Sequence, residues 1–370
     1  MARFEEVGPG RTVVESTRVD KVHPRAAVFR SIRSIVALII AAIVLFPVVW
    51  LAMTTVKTRP DTVALPPKYI PYFENGLGSG LCTGVQRTKS GEVKLNKEGE
   101  PIIKEKKACF ELTLEGVLGL FTQRRTLMQA EQKEWMQRDD LGWVDRILLK
   151  RGLAVIGPSQ YVARFRNSLI IACTSTVLAV GFGLLAAYAF SRFDIAGKPD
   201  LLFFILSTRM LPPVVVTIPI FLMYRRLGLY DTHIGMIALY TVFNLSLSVW
   251  LLKGFLDEIP REYEEAALVD GYSRLQAFVK VVLPQAVNGI AATVVFCFIF
   301  AWNEYAFALM LTSDKARTAP PTIPSVLGTG GIEWAIIAMG SMLFLIPVIV
   351  ITFSLRQYLL RGVTFGAIRQ

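Results

Sequence analysis

The sequence has little charge for its length and almost no histidine. Charged residues make up 19% of its 370 residues, whereas soluble domains average about 25%. The two histidines, His23 and His233, fall on opposite sides of the membrane predicted below, so they cannot form a metal site or a catalytic triad. A phosphate-binding loop is also missing, because Gly197-Lys198 precedes Pro199 and lacks the upstream glycine. These absences exclude nucleotide binding through a phosphate-binding loop and argue against enzymatic activity in this chain.

Apolar residues account for 53% of the chain and are concentrated in long blocks. A helix needs about 20 apolar residues to cross a bilayer, and six blocks reach that length. Prolines inside several blocks are compatible with membrane helices, where neighbouring groups satisfy the freed carbonyls. The sequence therefore predicts an all-α integral membrane protein with six transmembrane helices, at residues 35–56, 168–190, 201–224, 234–252, 287–311 and 334–355.

The distribution of basic residues predicts the orientation of these spans. No cleavable signal peptide is apparent, so the polar segment 1–34 leads into a retained first helix. Segments predicted inside hold sixteen basic residues, and each short outside loop holds two. Both the N-terminus and the C-terminal tail, residues 357–370, are thus expected in the cytoplasm. The net charge of +11 suits anionic headgroups rather than nucleic acid.

One connection, residues 57–166, is far longer than the others and is predicted to lie outside the cytoplasm. Its first half is rich in Gly, Ser, Lys and Glu, which indicates turns, a hairpin or a flexible loop. Residues 112–153 are compatible with helix, either as an amphipathic subdomain on the membrane surface or as a solvated helical hairpin.

The four cysteines separate by position. Cys173 and Cys297 lie within spans, where thiols usually act as small apolar groups. Cys82 and Cys109 share the long outside loop, and an oxidising compartment there would favour a bond between them. We predict this disulfide, which would stabilise the loop by roughly 3 kcal/mol.

A polar segment, residues 257–284, separates the fourth and fifth spans. Asp257 to Pro260 suit the start of a helix from Arg261, and Gly271 sits where a helix end needs a left-handed residue. Ser273 can cap a second helix that runs to Pro284. In the first helix, Glu264, Ala267 and Leu268 share one face. A polar helix-turn-helix between membrane spans suggests that a partner outside the membrane binds it.

The spacing of Glu265-Ala266-Ala267, Gly271 and Val281-Val282-Leu283-Pro284 resembles the EAA loop of permease subunits of bacterial ABC importers. The run from Glu265 to Gly271 resembles the carbohydrate branch, including the maltose-type permease. Tyr272 departs from the small residue usual there, and Val281 replaces isoleucine. The enlarged outer loop is also unlike the family. Further matches lie at residues 46–50, 54–57, 66–67, 167–170, 227–232, 302–304 and 361–367.

This resemblance implies a type I ABC importer permease fold with a core at residues 167–356. It also implies a bacterial inner membrane location and several partners: a second permease subunit, a dimer of cytoplasmic ATPases that holds ATP and Mg²⁺, and an extracytoplasmic binding protein. No cofactor is expected in this chain. The coupling residues would be Glu265, Ala266, Ala267, Asp270 and Gly271. For Glu265, pairing with an ATPase arginine, a local cap and a solvated acid remain alternatives.

Polar side chains within the predicted spans are candidates for the substrate pathway, because burying them in hydrocarbon is costly. These are Arg209, Asn244, Asn303 and Glu304. An ion pair between Arg209 and Glu304, or simple packing, is the competing interpretation. The function implied is import of a sugar by alternating access. An ABC permease for another solute is the alternative, followed by a secondary transporter, although neither an inverted repeat nor a chain of intramembrane acids is apparent.

Overall fold

The computed structural model describes residues 24–65, 67–72, 83–85, 103–105, 109–138, 141–149, 152–325, 327–328 and 331–365. The chain forms two compact units, residues 1–50 and 51–370, which are described separately. Most described residues are helical, which confirms the all-α prediction. The strands in the described part of the chain form four short two-stranded pairings.

The first unit contains most of helix α1, Pro24–Thr55. Its part from Arg33 onward is long and apolar enough to cross a membrane. All side chains described between residues 33 and 49 are exposed, and they are mostly Ile, Leu, Val and Ala. Such a surface is stable only against lipid or another apolar partner. Pro47 lies inside α1 without ending it.

The second unit begins with the long connection, which mixes short helices with strands. Its helices are α2 (Arg59–Thr62), α3 (Glu115–Phe121), α4 (Gln129–Met136) and α5 (Trp143–Leu149). Its strands are β1 (Ile70–Tyr72), β2 (Thr83–Val85), β3 (Ile103–Glu105), β4 (Cys109–Glu111), β5 (Thr122–Thr126) and β6 (Leu153–Pro158). Strand β1 pairs parallel with β4, while β2–β3 and β5–β6 are antiparallel. The purely helical prediction for residues 112–153 is therefore wrong at β5, whose hydrogen bonds go to a strand about 30 residues away.

The remaining helices are those that can cross a membrane and their connections. They are α6 (Tyr161–Arg192), α7 (Lys198–Ser207), α8 (Pro213–Leu227), α9 (His233–Asp257), α10 (Glu262–Val269), α11 (Arg274–Ala277), α12 (Leu283–Gln285), α13 (Val287–Trp302), α14 (Ala306–Leu311) and α15 (Trp334–Phe365). Strands β7 (Leu327–Gly328) and β8 (Gly331–Ile332) form a hairpin before α15. Among the described residues, four helices have spanning length and hydropathy, and up to six spans result if each bent pair is one span.

Two predicted spans are not single helices. The third breaks after a 3₁₀ turn at Thr208–Met210, and its halves meet at 92°. Pro212 cannot donate a backbone hydrogen bond and Pro213 starts the new helix, which explains the break. The fifth ends at Trp302, and α14 is separate. The sixth extends to Phe365, beyond the predicted start of the tail at residue 357.

Close packing of α6 against α9 forms the centre of the second unit. Gly183 faces Ser248 so closely that an added Cβ would lie 2.3 Å from the serine hydroxyl. Small residues at such a contact let membrane helices approach each other. We call the end of this bundle that carries α10 and α11 the loop end, and the opposite end, where α6 begins, the far end.

The long connection is fixed to the far end by specific contacts. Gly116 in α3 leaves no room for a side chain, because an added Cβ would meet the carbonyl oxygens of Thr55 and Ala335. Arg124 in β5 forms an ion pair with Glu333, with Nη2 and Oε2 3.4 Å apart. The connection therefore packs on the start of α15 rather than standing free in solvent. Neither alternative predicted for residues 112–153, a subdomain on the membrane surface or a solvated helical hairpin, included this attachment.

The cysteine predictions are partly covered by the described residues. Both Cys173 and Cys297 lie within apolar helices, as predicted, and both are free thiols; Cys297 is buried in the bundle, whereas Cys173 is exposed on its outer surface. Cys109 is 1% exposed and takes part in a disulfide. Cys82 lies outside the described residues, so its pairing with Cys109 stays a prediction.

Candidate functional site

The polar segment at the loop end folds as its local sequence predicts. Helix α10 ends at Val269, and Gly271 takes φ +88°, a left-handed value that costs glycine little. The amide of Tyr272 then donates to the carbonyl of Ala267 at 3.0 Å, which closes the helix end. Ser273 caps α11 by accepting from the amide of Gln276. The turn geometry is thus confirmed at both positions.

The five predicted coupling residues do not share one environment. Ala267 is buried at 5% exposure, while Glu265, Ala266, Asp270 and Gly271 are exposed. The Glu265 side chain has no hydrogen bond or ion pair with any residue that the structure describes, so the local-cap alternative is not realised. Their neighbours include exposed apolar side chains, with Val269 at 88% and Leu275 at 70% exposure. The segment therefore presents acidic, small and apolar groups to its surroundings.

A buried ion pair anchors this segment to the end of α6. Arg192 Nε lies 2.8 Å from Glu264 Oε2, and the two side chains are only 6% and 10% exposed. Arg192 also donates to the carbonyl of Ile259 at 3.0 Å, and Arg261 donates to the carbonyl of Ser191 at 2.7 Å. Sequence reasoning placed Glu264 and Ala267 on one face but missed Arg192 as the partner.

Apolar contacts continue this attachment into the bundle. Phe278 and Val282, in the π-helical turn Phe278–Val282 after α11, pack with Leu252 and Leu256 of α9 and with Ala187 of α6. Val282 and both leucines are fully buried. A displacement of the segment must therefore move the ends of α6 and α9 with it. Tyr272, the departure from the family pattern, lies under the ammonium of Lys280 at 4.9 Å.

A second site is a cavity of about 220 Å³ within the bundle, next to the bend between α7 and α8. Three of the four predicted pathway residues line it: Arg209, Asn244 and Glu304. Asn303 does not, since its amide is exposed and donates to the carbonyl of Ile299 one turn earlier. The rest of the lining is mostly apolar: Leu211, Pro213, Tyr240, Phe243, Phe300, Ala301 and Phe307.

The two charged side chains of this cavity, Glu304 and Arg209, have different partners. Glu304 Oε2 accepts from the hydroxyl of Tyr240 at 2.7 Å, and its carboxylate also accepts from the amides of Phe307 and Ala308. It thus caps α14. Arg209 lies over the ring of Phe300, 4.2 Å from its centroid, and donates to the carbonyl of Phe243 at 3.5 Å. The alternative of an Arg209–Glu304 ion pair is not realised.

A third polar cluster lies at the far end and joins two connections. Asp231 adopts φ +56°, and its carboxylate accepts hydrogen bonds from the backbone amides of residues 313–316. Burial alone raises the pKa of Asp231, but the amides of Ala316, Ser313, Lys315 and Asp314 outweigh it and lower the pKa to about 2. A carboxylate so held stays charged at physiological pH.

Residues at the start of α6 complete this cluster. Asn167 donates to the carbonyls of Lys315 and Arg317, at 2.9 and 3.0 Å, and its oxygen lies 2.9 Å from His233 Nε2. Ser168 accepts from the amide of Ala319 at 2.8 Å. The family resemblance included these two stretches, residues 167–170 and 227–232, without a role for them. Their side chains position the connection between α14 and α15.

Broken spans, a polar helix anchored at one end of a bundle and a cavity at the break are features expected of a membrane transport subunit. Residues 179–365 match the family described as binding-protein-dependent transport system inner membrane component. This match covers half of the chain, and the chain belongs to that family. It is a multi-pass membrane protein and a permease subunit of ABC importers.

Individual relatives agree with this assignment. A probable ABC transporter permease, y4oR of Sinorhizobium fredii, is 27% identical over 90% of this chain and 92% of its own. The trehalose transport system permease SugB of Mycobacterium tuberculosis is 38% identical over 55% of this chain and 75% of its own. A bacterial ABC transporter that imports the acidic polysaccharide alginate is similar in structure, with a TM-score of 0.55 at 16% identity, covering 91% of this chain and 98% of that one. That similarity supports the fold alone.

Proposed function

We propose that this permease carries a sugar or sugar derivative across the inner membrane, and that residues 257–284 couple the transport to a separate pair of ATPases. The observation that carries the proposal is the anchored segment at the loop end. Its outer surface exposes Glu265, Ala266 and Val269, while Glu264 and Ala267 are buried toward the bundle. One face is therefore available for a partner, and the other is fixed to the spans.

Force can pass through this segment in three steps. The ATPase pair binds ATP and Mg²⁺, a task for which this chain has no phosphate-binding loop. Closure of the ATPases displaces α10, which is fixed to α6 through Arg192 and Glu264. The packed turn at Phe278 and Val282 carries the same displacement to α9. Because packed helices move as rigid bodies, the result is a rocking of the bundle that opens the cavity to alternate sides.

The substrate class rests on relatives and on the chemistry of the cavity. The relative named above for trehalose is 38% identical. A cavity with several aromatic rings and a few polar groups suits a sugar, which has both apolar faces and hydroxyls. Its volume, 220 Å³, is below the roughly 300–1,000 Å³ of complete ligand sites, which fits a cavity completed by a second permease subunit.

The orientation proposed places the loop end and both chain termini in the cytoplasm. Residues 57–166 and the connection held by Asp231 then face the extracytoplasmic side, where a substrate-binding protein delivers the sugar. The long connection packs against α15 through α3, so it can support a docked protein or shield the mouth of the cavity.

Uptake by the complete complex tests this proposal. The chain is reconstituted in vesicles with its second permease, its ATPases and its binding protein, and labelled sugars are added outside with ATP inside. We expect uptake of a sugar that stops when ATP is omitted. Uptake of only a non-sugar solute would support the alternative ABC permease. Uptake that follows a proton or sodium gradient without ATP would instead indicate a secondary transporter.

A further inference from the structure

Arg209 is a charged side chain in the cavity for which the bundle supplies no acid. It lies in the 3₁₀ turn that ends α7, at the break in the third span. Among the residues that the structure describes, no carboxylate lies within ion-pair distance of its guanidinium. Its contacts are the ring of Phe300 and a carbonyl 3.5 Å away, which use few of its five N–H donors.

The carboxylate that lines the same cavity, Glu304, is already engaged. Both oxygens of Glu304 accept hydrogen bonds, from the Tyr240 hydroxyl and from two amides at the start of α14. Moving Glu304 toward Arg209 would uncap that helix and leave buried donors without acceptors, which costs about 1–3 kcal/mol for each group. The carboxylate therefore has a fixed structural task, and the positive charge in the cavity stays uncompensated.

We propose that Arg209 binds the carboxylate of an acidic sugar, such as a uronate, in this cavity; the proposal rests on the sugar-import function above and names its substrate class. A guanidinium presents paired N–H donors that match the two oxygens of a carboxylate. The Phe300 ring lies 4.2 Å from the guanidinium and holds it against the cavity wall, and the neighbouring rings of Phe243 and Phe307 offer surfaces for the apolar face of a sugar.

The net charge of the long connection also favours an acidic substrate. Residues 57–166 carry nineteen basic and thirteen acidic side chains. If this connection faces the outside, as proposed above, it gives the entry side a net positive charge, which attracts an anionic substrate at low ionic strength. The observation is independent of the cavity, because it concerns a different part of the chain.

The test uses the complete complex in vesicles and three neutral disaccharides: trehalose, maltose and cellobiose. Each is paired with the derivative in which one hydroxymethyl group is oxidised to a carboxylate. Uptake is measured for wild type, Arg209→Gln and Arg209→Lys, with Arg226→Gln as a matched control at an exposed arginine outside the cavity. Binding of each sugar to the isolated binding protein is measured separately, so that its selectivity is known.

We expect uptake of at least one acidic derivative in preference to its neutral partner. Because a charge-assisted hydrogen bond is lost, Arg209→Gln should reduce that uptake about 10- to 100-fold. Arg209→Lys should retain part of the uptake, and Arg226→Gln should retain all of it. ATPase activity stimulated by the unloaded binding protein should be unchanged in all variants, which would show that the complex is assembled.

Two results would overturn the inference. Preferred uptake of neutral sugars, equal in wild type and Arg209→Gln, would mean that Arg209 has a structural role or pairs with an acid of the second permease. The sugar-import function would survive that result. Absence of ATP-dependent uptake for both members of every pair would count against sugar import itself and would remove the inference with it.

Discussion

The ion pair between Arg192 and Glu264 should be necessary for coupling although neither residue faces the partner. Replacing Glu264 by Ala leaves the Arg192 guanidinium buried at 6% exposure without its acid. Removing one partner of a buried pair costs about 3–5 kcal/mol. Arg192 keeps its hydrogen bonds to the Ile259 carbonyl and the Ser191 hydroxyl, so we expect the lower end of that range. About 3 kcal/mol corresponds to a decrease of roughly 100-fold in the equilibrium constant for anchoring the segment.

The assay is the ratio of binding-protein-stimulated to basal ATPase activity in vesicles, measured together with uptake. Glu264→Ala should insert and assemble normally, but the ratio should approach one and uptake should fall at least about 10-fold. The matched control is Glu262→Ala, an exposed acid of the same helix. The double variant Arg192→Met with Glu264→Met should recover folding stability, because apolar replacement of a buried pair is often neutral. Normal stimulation and uptake in Glu264→Ala would refute the proposed role of the anchor.

Three further predictions concern other parts of the chain. Gly271→Val should reduce uptake while membrane insertion is retained. A β-branched residue at φ +88° adds about 1–3 kcal/mol of backbone strain, although the added side chain meets no steric clash. Unchanged uptake in vesicles would contradict this prediction. Asp231→Asn should speed hydrogen exchange at residues 313–316 at pH 7. The pKa of Asp231 is lowered to about 2, so its contribution to stability is complete above about pH 4 and is lost as the pH falls through 2. A decline in the exchange protection of the wild-type amides at residues 313–316 already between pH 8 and 5 would exclude this role. Peptide mapping without reduction should yield a Cys82–Cys109 peptide, and a free thiol at Cys82 would disprove the pairing.

The positions of the spans could be predicted from the sequence, but their breaks could not. Hydropathy averages over a window and does not respond to a bend within it. Pro47 and Pro347 lie inside continuous helices, whereas Pro212 and Pro213 accompany a 92° bend. A proline in a membrane helix thus permits a break without requiring one, because neighbouring groups decide whether the freed carbonyls are satisfied.

At the loop end, local geometry was predictable and long-range contacts were not. The left-handed Gly271 and the Ser273 cap depend on a few adjacent residues, and both follow from steric and hydrogen-bonding rules. Two predicted spans, the bent third span and the fourth, lie between Arg192 and Glu264 in the sequence. Their pairing therefore depends on the tertiary fold. The sequence showed only that Glu264 shares a helix face with Ala267, and the charged partner of Glu264 followed from the fold.

In the cavity, composition identified the candidates but not their partners. Arg209, Asn244 and Glu304 were predictable as polar residues in apolar blocks, and the structure brings them to one cavity. Asn303 belongs to the same motif as Glu304 but lies one position away, where its side chain faces outward. Tyr240, which binds Glu304, gave no sequence signal because a tyrosine is common near membrane interfaces.

Photo-crosslinking from α10 tests the central claim most directly. A photoreactive amino acid is placed at Val269, which is 88% exposed, or at the control position Val177 in the middle of α6, which is 70% exposed. In the complete complex in membranes, the account predicts an adduct between position 269 and an ATPase subunit whose yield changes when ATP is added. Position 177 should yield lipid or permease adducts only. Repeated absence of an ATPase adduct at position 269, with the complex assembled and active, would contradict coupling through this segment.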